Sequence, residues 1–138
     1  MKKIKSVLLL LIFFHAPLVE ANENIIFSGT PIVKITEAGI NRVVEKMTGE
    51  RAMEFRCVIS KVGKKYYWLT RENNEVVRIT SGAYETFIAL NGSGYVRTIP
   101  KDMKGATSLL GGPEGKFDYV EHLLLGLRSV TYYGNATK

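Results

Sequence analysis

The sequence predicts an α+β fold, an antiparallel β-meander of about five strands with two packed helices. Three observations predict it: a stretch with helical spacing before residue 50, some fifty residues of alternating runs punctuated by turn residues, and a second apolar helical stretch after residue 116.

Residues 1–21 read as a signal peptide. Lys2, Lys3 and Lys5 make a basic start, and Val7 to Phe14 is an unbroken apolar run too short to span a bilayer. Val19-Glu20-Ala21 then offers small or β-branched residues where a signal peptidase reads, which predicts cleavage before Asn22. The expected product is a single domain, residues 22–138, periplasmic or secreted and without a membrane span. A lipid-anchored form is not expected, because the only cysteine, Cys57, lies far from the cleavage point.

Without the leader the chain has 117 residues, enough for one domain with a core and too few for two. It keeps 16 basic and 12 acidic side chains, a formal charge of +4. That excess permits an anionic partner and does not require one. One cysteine forms no internal disulfide, so packing alone must hold the fold. Cys57 shares a strand side with Phe55 and Ile59 and reads as a core thiol.

The first helix is expected over "TEAGINRVVEKMTG", where Ile40, Val43, Val44 and Met47 recur at helical spacing, Thr36 stands as cap and Gly49 lies past the end. Strands are expected near 53–61, 65–71, 75–80, 83–90 and 95–99. Gly63-Lys64, Asn73-Asn74, Ser81-Gly82 and Asn91-Gly92-Ser93-Gly94 separate them. Such short loops imply antiparallel neighbours. Ser81 and Ser93 are read as turn residues, since neither has the Gly-x-Ser-x-Gly pattern between a strand and a helix that a nucleophile elbow needs. A Ser81-Gly82 turn would place Arg78 opposite Glu85 and Ile79 opposite Tyr84. Residues 101–116 read as an irregular connection. "FDYVEHLLLGLRS" carries Phe117, Val120, Leu124 and Leu127 at helical spacing and is the second expected helix, and "SVTYYGNATK" is either a short edge strand or a frayed tail.

Those registers sort the meander into two faces. One gathers Phe55, Cys57, Ile59, Trp68, Val77, Ile79, Tyr84 and Ile88, and should receive the helices. The other gathers Arg56, Tyr67, Arg71, Arg78 and Phe87, the candidate binding residues. Arginine supplies forked donors for carboxylate or phosphate, and aromatic rings supply flat stacking surfaces. The same residues also suit a plain solvated face, with Arg stems covering apolar sheet.

No catalytic constellation stands out. His122 is four residues after Asp118, which on a helix would let the carboxylate orient the ring, but no nucleophile is placed beside it. "GGPEGK" lacks both the spacing and the hydroxyl residue of a phosphate loop. One histidine in the expected domain and one cysteine cannot form a closed zinc site, and no cofactor is implied. The sequence therefore points to an exported, non-enzymatic binding module acting on a protein partner, such as an envelope component, an inhibitor or an immunity factor. The alternatives are a binder of an anionic polymer, nucleic acid or lipid headgroup, through the Arg and aromatic face, and a small hydrolase using His122.

Overall fold

The structure is a computed structural model and describes residues 24–137; the expected leader, residues 1–21, lies outside them. It is all-β apart from one six-residue helix and two short 3-10 turns, Lys101–Met103 and Thr107–Leu110, so the α+β expectation is overturned. The strands are β1 (Asn24–Ala38), β2 (Asn41–Lys46), β3 (Cys57–Val62), β4 (Lys65–Trp68), β5 (Asn74–Ser81), β6 (Tyr84–Ala89), β7 (Gly94–Thr98), β8 (Tyr119–Leu125) and β9 (Arg128–Thr137), with helix α1 (Gly49–Glu54) between β2 and β3. Every strand pairs antiparallel with its neighbours. Pairing of β1 with β9 closes β1 and β3 to β9 into an eight-stranded barrel, and β2 is an extra strand on β1.

Both expected helices are hairpins. The segment from Thr36 to Lys46 is the end of β1, a Gly39-Ile40 turn and β2, with Ala38 opposite Asn41. The segment from Tyr119 onward is β8, a Gly126-Leu127 turn and β9, with Leu125 opposite Arg128. Gly39 and Gly126 adopt φ of 60° and 65°, while Ile40 and Leu127 are not among the positive-φ residues. That sign pattern belongs to the type II′ turn, whose twist matches the flanking strands and whose first position needs glycine. Of the four residues that suggested a helical stripe, only Met47 is buried; Ile40, Val43 and Val44 are exposed. In β8 the inward positions are Tyr119, Glu121 and Leu123, a period of two that the charge on Glu121 hides.

The five strands between residues 57 and 98 lie close to their expected positions, but their faces do not. A five-residue connection, 69–73, links β4 to β5, and Trp68 stands opposite Asn74. Glu72 and Asn73 both turn through positive φ there. Trp68 therefore shares the inner face with Val76 and Arg78 instead of Val77 and Ile79. An odd shift of register exchanges the two sides of a strand, and β6 and β7 inherit the exchange. Phe87 and Val96 are buried inside, while Val77, Ile79 and Ile88 point outward. The turn between β5 and β6 is Gly82-Ala83, one residue later than expected. Arg78 thus faces Phe87 across the ladder but still meets Glu85 diagonally, Nε to Oε1 at 2.5 Å.

Eight strands enclose a space that side chains fill. Trp68, Phe87, Ile59, Val96 and Tyr119 are all at or below 1% exposure. The Tyr119 ring meets Phe27 edge-on at 5.3 Å and lies against two strands that are glycine at the contact, Gly29 and Gly134. A Cβ on Gly134 would fall 2.7 Å from Tyr119 Cε1, 2.8 Å from Pro31 Cα and into the Thr30 carbonyl oxygen. Two of these obstacles are backbone, which cannot step aside. Gly134→Ala is expected to cost about 2 kcal/mol by overpacking. Urea titration should show a lower midpoint with an unchanged slope.

Candidate functional site

Glu121 is fully buried among the inner side chains, and its charge is met by a residue from outside the strands. Arg71, on the connection between β4 and β5, turns inward to place Nη2 2.8 Å from Glu121 Oε1. Its guanidinium also donates to the carbonyl oxygens of Thr70 at 2.9 Å and Phe55 at 3.3 Å, and lies over the Tyr132 ring at 5.6 Å. Both Glu121 oxygens, Arg71 Nε, Trp68 Nε1 and Tyr119 Oη have no hydrogen-bonding partner there. Burial raises Glu121 to a pKa of about 7 against the pull of Arg71. Burial also pushes the Cys57 thiol and the Tyr119 hydroxyl well up, so neither is a nucleophile or base at neutral pH. This cluster is a plug in the barrel.

The five candidate binding residues do not form one surface. Arg71 and Phe87 face the interior, Phe87 beside Tyr66 with ring centres 6.0 Å apart. Arg78 lies at the barrel end where β5 finishes, over Tyr66 at 5.8 Å and paired with Glu85. Arg56 is exposed at the opposite end, just before β3. Tyr67 is half-buried on the outer wall, paired with Ser60 and Glu75. The face exchange at residues 69–73 separates them.

His122 and Asp118 are likewise apart in role. On a strand, four residues span about 13 Å. Asp118 pairs with Lys104 and accepts the Ala136 N–H at 2.9 Å; burial works against its ionisation, but these partners prevail and hold it below the usual carboxylate range. His122 Nδ1 contacts Thr131 Oγ1 at 2.9 Å, and its ring lies 5.5 Å from Tyr95 on the outer wall. In the "GGPEGK" loop the Gly111 carbonyl accepts from Arg42 Nη2 at 3.0 Å. Among the described residues no group of three or more His, Cys, Asp and Glu is placed to hold a metal, and no helix is long and apolar enough to cross a membrane.

With the interior filled, the barrel's two ends are the places for recognition. At one end the tips of β1–β2 and β8–β9 lie side by side, since Ala38 pairs with both Asn41 and Arg128, and Arg128 with Leu125. Ile40 and Leu127 at these tips are completely exposed, and Val43, Val44, Leu124 and Leu125 are each more than half exposed. Among the described residues strand β2 pairs with β1 alone, and its other edge has no partner strand. Sequence reasoning missed this end because it read both hairpins as helices; the Gly-Ile and Gly-Leu pairs were the available signal. The opposite end holds a cup of about 660 Å³ between the β5–β6 turn, the start of β1 and the connection after β7. Compared with protein-family models, curated proteins and solved structures, the chain matches none.

Glu121 makes stability depend on pH in a defined direction. A carboxyl whose pKa rises from 4.5 to about 7 on folding binds its proton more tightly in the folded state. Its contribution is complete below pH 4.5 and is lost as pH climbs to 7, a loss on the order of 3 kcal/mol. Asp118 titrates below this window. Urea unfolding across pH 4.5 to 7.5 should show stability falling in the wild type and a flatter profile in Glu121→Gln. Arg71→Ala is expected to lose about 3 kcal/mol at pH 7.5, where it leaves a buried charge alone, and less at pH 4.5.

Proposed function

We propose that the protein is an exported, non-enzymatic binding module that takes an extended segment of a partner protein onto the open edge of β2. The observation that supports this most is the union of an unpaired edge with exposed apolar hairpin tips. Edge strands are usually blunted by proline, bulges or repeated charge. Strand β2, Asn41-Arg42-Val43-Val44-Glu45-Lys46, has no proline and presents a valine on each face; of its three charged side chains, Arg42 and Glu45 are engaged within the chain by Glu37 and Arg51. The type II′ turn and the Met47 N–H bond to the Ile32 carbonyl at 2.7 Å direct the odd-numbered backbone groups of β2 toward β1. Those of Arg42, Val44 and Lys46 then face the open side. An added strand would bond to them while its side chains cover Ile40 and Val43, the mode known as strand addition, and Leu127, on the neighbouring tip beyond β1, would meet the partner outside the added strand.

The interior supports the non-enzymatic part of the reading. Its one strongly perturbed carboxyl is buried and answered by Arg71, and its thiol is held protonated. The positive charge of the chain leaves room for an anionic polymer, and salt separates the two cases, because polymer binding falls steeply as salt rises.

Val44→Pro tests the edge, because it removes an outward donor and no β1–β2 bond. Wild-type protein should retain a stoichiometric protein from an envelope extract through moderate salt. Val44→Pro and the double variant Ile40→Ser, Leu127→Ser should lose at least tenfold of that capture while melting within a few degrees of wild type. Equal capture by wild type and Val44→Pro would remove β2 from the reading, and retention of nucleic acid or lipid alone, released at low salt, would replace the protein partner.

A further inference from the structure

We infer that the cup at the opposite end of the barrel is a binding site for a small amphipathic anion, a molecule with one negative head and an apolar body. The site is independent of the β2 edge, from which the length of the barrel separates it. Its volume, about 660 Å³, lies within the range of small-molecule pockets, and barrel mouths are a recurrent place for them.

The apolar part of the wall comes from three directions. Phe27, from β1, is 8% exposed and belongs to the core, so that the cup is floored by the barrel's own packing. Tyr84, at the start of β6, is 38% exposed, and Ile99 and Pro100 begin the connection after β7. The positions of these elements are fixed by paired strands on either side. Thr98 Oγ1 accepts the Glu85 N–H at 3.2 Å, tying the β6 side of the cup to the β7 side. Asp118 accepts the Ala136 N–H, tying the start of β8 to β9.

The charges select the ligand's sign. Four ionised side chains line the cup: Glu85, Asp118, Lys101 and Lys104. Glu85 is already neutralised by Arg78, and Asp118 by Lys104. An incoming cation would have to displace one of these pairs. Among the described residues Lys101 has no ion-pair or hydrogen-bond partner, and it opens the one-turn helix Lys101–Met103 beside the cup, so an incoming anion meets an ammonium group that they leave unmatched. The apolar floor and the Lys101 ammonium together describe a carboxylate with a hydrocarbon body better than an inorganic anion, which would leave Phe27 and Tyr84 uncovered.

Calorimetric titration of the purified protein with dodecanoate, below its micelle concentration, tests this directly. One equivalent should bind. Lys101→Ala should weaken affinity about tenfold, the loss of one charge-assisted contact, and Lys101→Arg should restore it. Tyr84→Ala should weaken binding through lost apolar contact, whereas Arg128→Ala, which removes an exposed cation at the other end, should leave it unchanged. Acetate and inorganic phosphate should not bind measurably, and dodecanol should bind more weakly than dodecanoate. Absence of dodecanoate binding would overturn the inference. So would affinity insensitive to both Lys101→Ala and Tyr84→Ala, an equal loss in Arg128→Ala, or acetate and phosphate binding as well as dodecanoate.

Discussion

The carboxylate of Glu121 lies fully buried in a closed barrel, and the only guanidinium within reach is delivered by a connection between strands. Much of the structure follows from that arrangement. An isolated buried charge costs several kcal/mol, and a partner with good contacts offsets much of it. Arg71 meets the need from residues 69–73, between β4 and β5, where two consecutive residues take positive φ. The length of this connection sets the β4–β5 register, and that register decides which face of β5, β6 and β7 points inward. The ion pair and the choice of Val76, Phe87 and Val96 as core residues are two consequences of one loop. A two-residue turn in its place would leave Glu121 without its cation and put Val77 and Ile88 inside.

The same constraint moves recognition to the ends of the molecule. A barrel of eight strands has room for its own side chains or for one small ligand at its centre. Here Trp68, Tyr119, Phe87 and Glu121 occupy that centre, and the Tyr119 ring uses even the space over Gly29 and Gly134. The interior thus serves stability and pH response. Among the described residues the two ends are chemically unlike: one presents bare aliphatic tips and a strand edge without a partner strand, the other a cup with two matched ion pairs and the ammonium of Lys101.

Where sequence reasoning succeeded and where it failed has local causes. The meander from Cys57 to Thr98 was legible because β-branched and aromatic residues alternate between short loops of glycine, asparagine and serine. Asn91 confirms its turn directly, its side chain accepting the Ser93 N–H at 3.0 Å. The two flanking hairpins were misread because their exposed faces are apolar. Ile40, Val43, Val44, Leu124 and Leu127 point to solvent, so that polarity no longer marks the outside, and their spacing matches a helical stripe by chance. In β8 the buried Glu121 supplies the opposite error, a charge at an inward position. Gly39 and Gly126 carried the correction, since each is the first residue of a II′ turn and sits poorly inside a helix.

The sequence by itself determined the elements whose information is local: the strand runs between Cys57 and Thr98, the Asn91-Gly92 turn, and the burial of Cys57 in an apolar strand. Tertiary structure alone decided the closure of β1 on β9, the inward turn of Arg71 and the dispersal of Arg56, Tyr67, Arg78 and Phe87 over separate surfaces. The physical reason is parity. A side chain's face alternates with every residue, so one uncertain loop length between Trp68 and Asn74 inverts everything after it, and only the packed barrel, by filling its centre and pairing its buried carboxylate, selects one of the two answers.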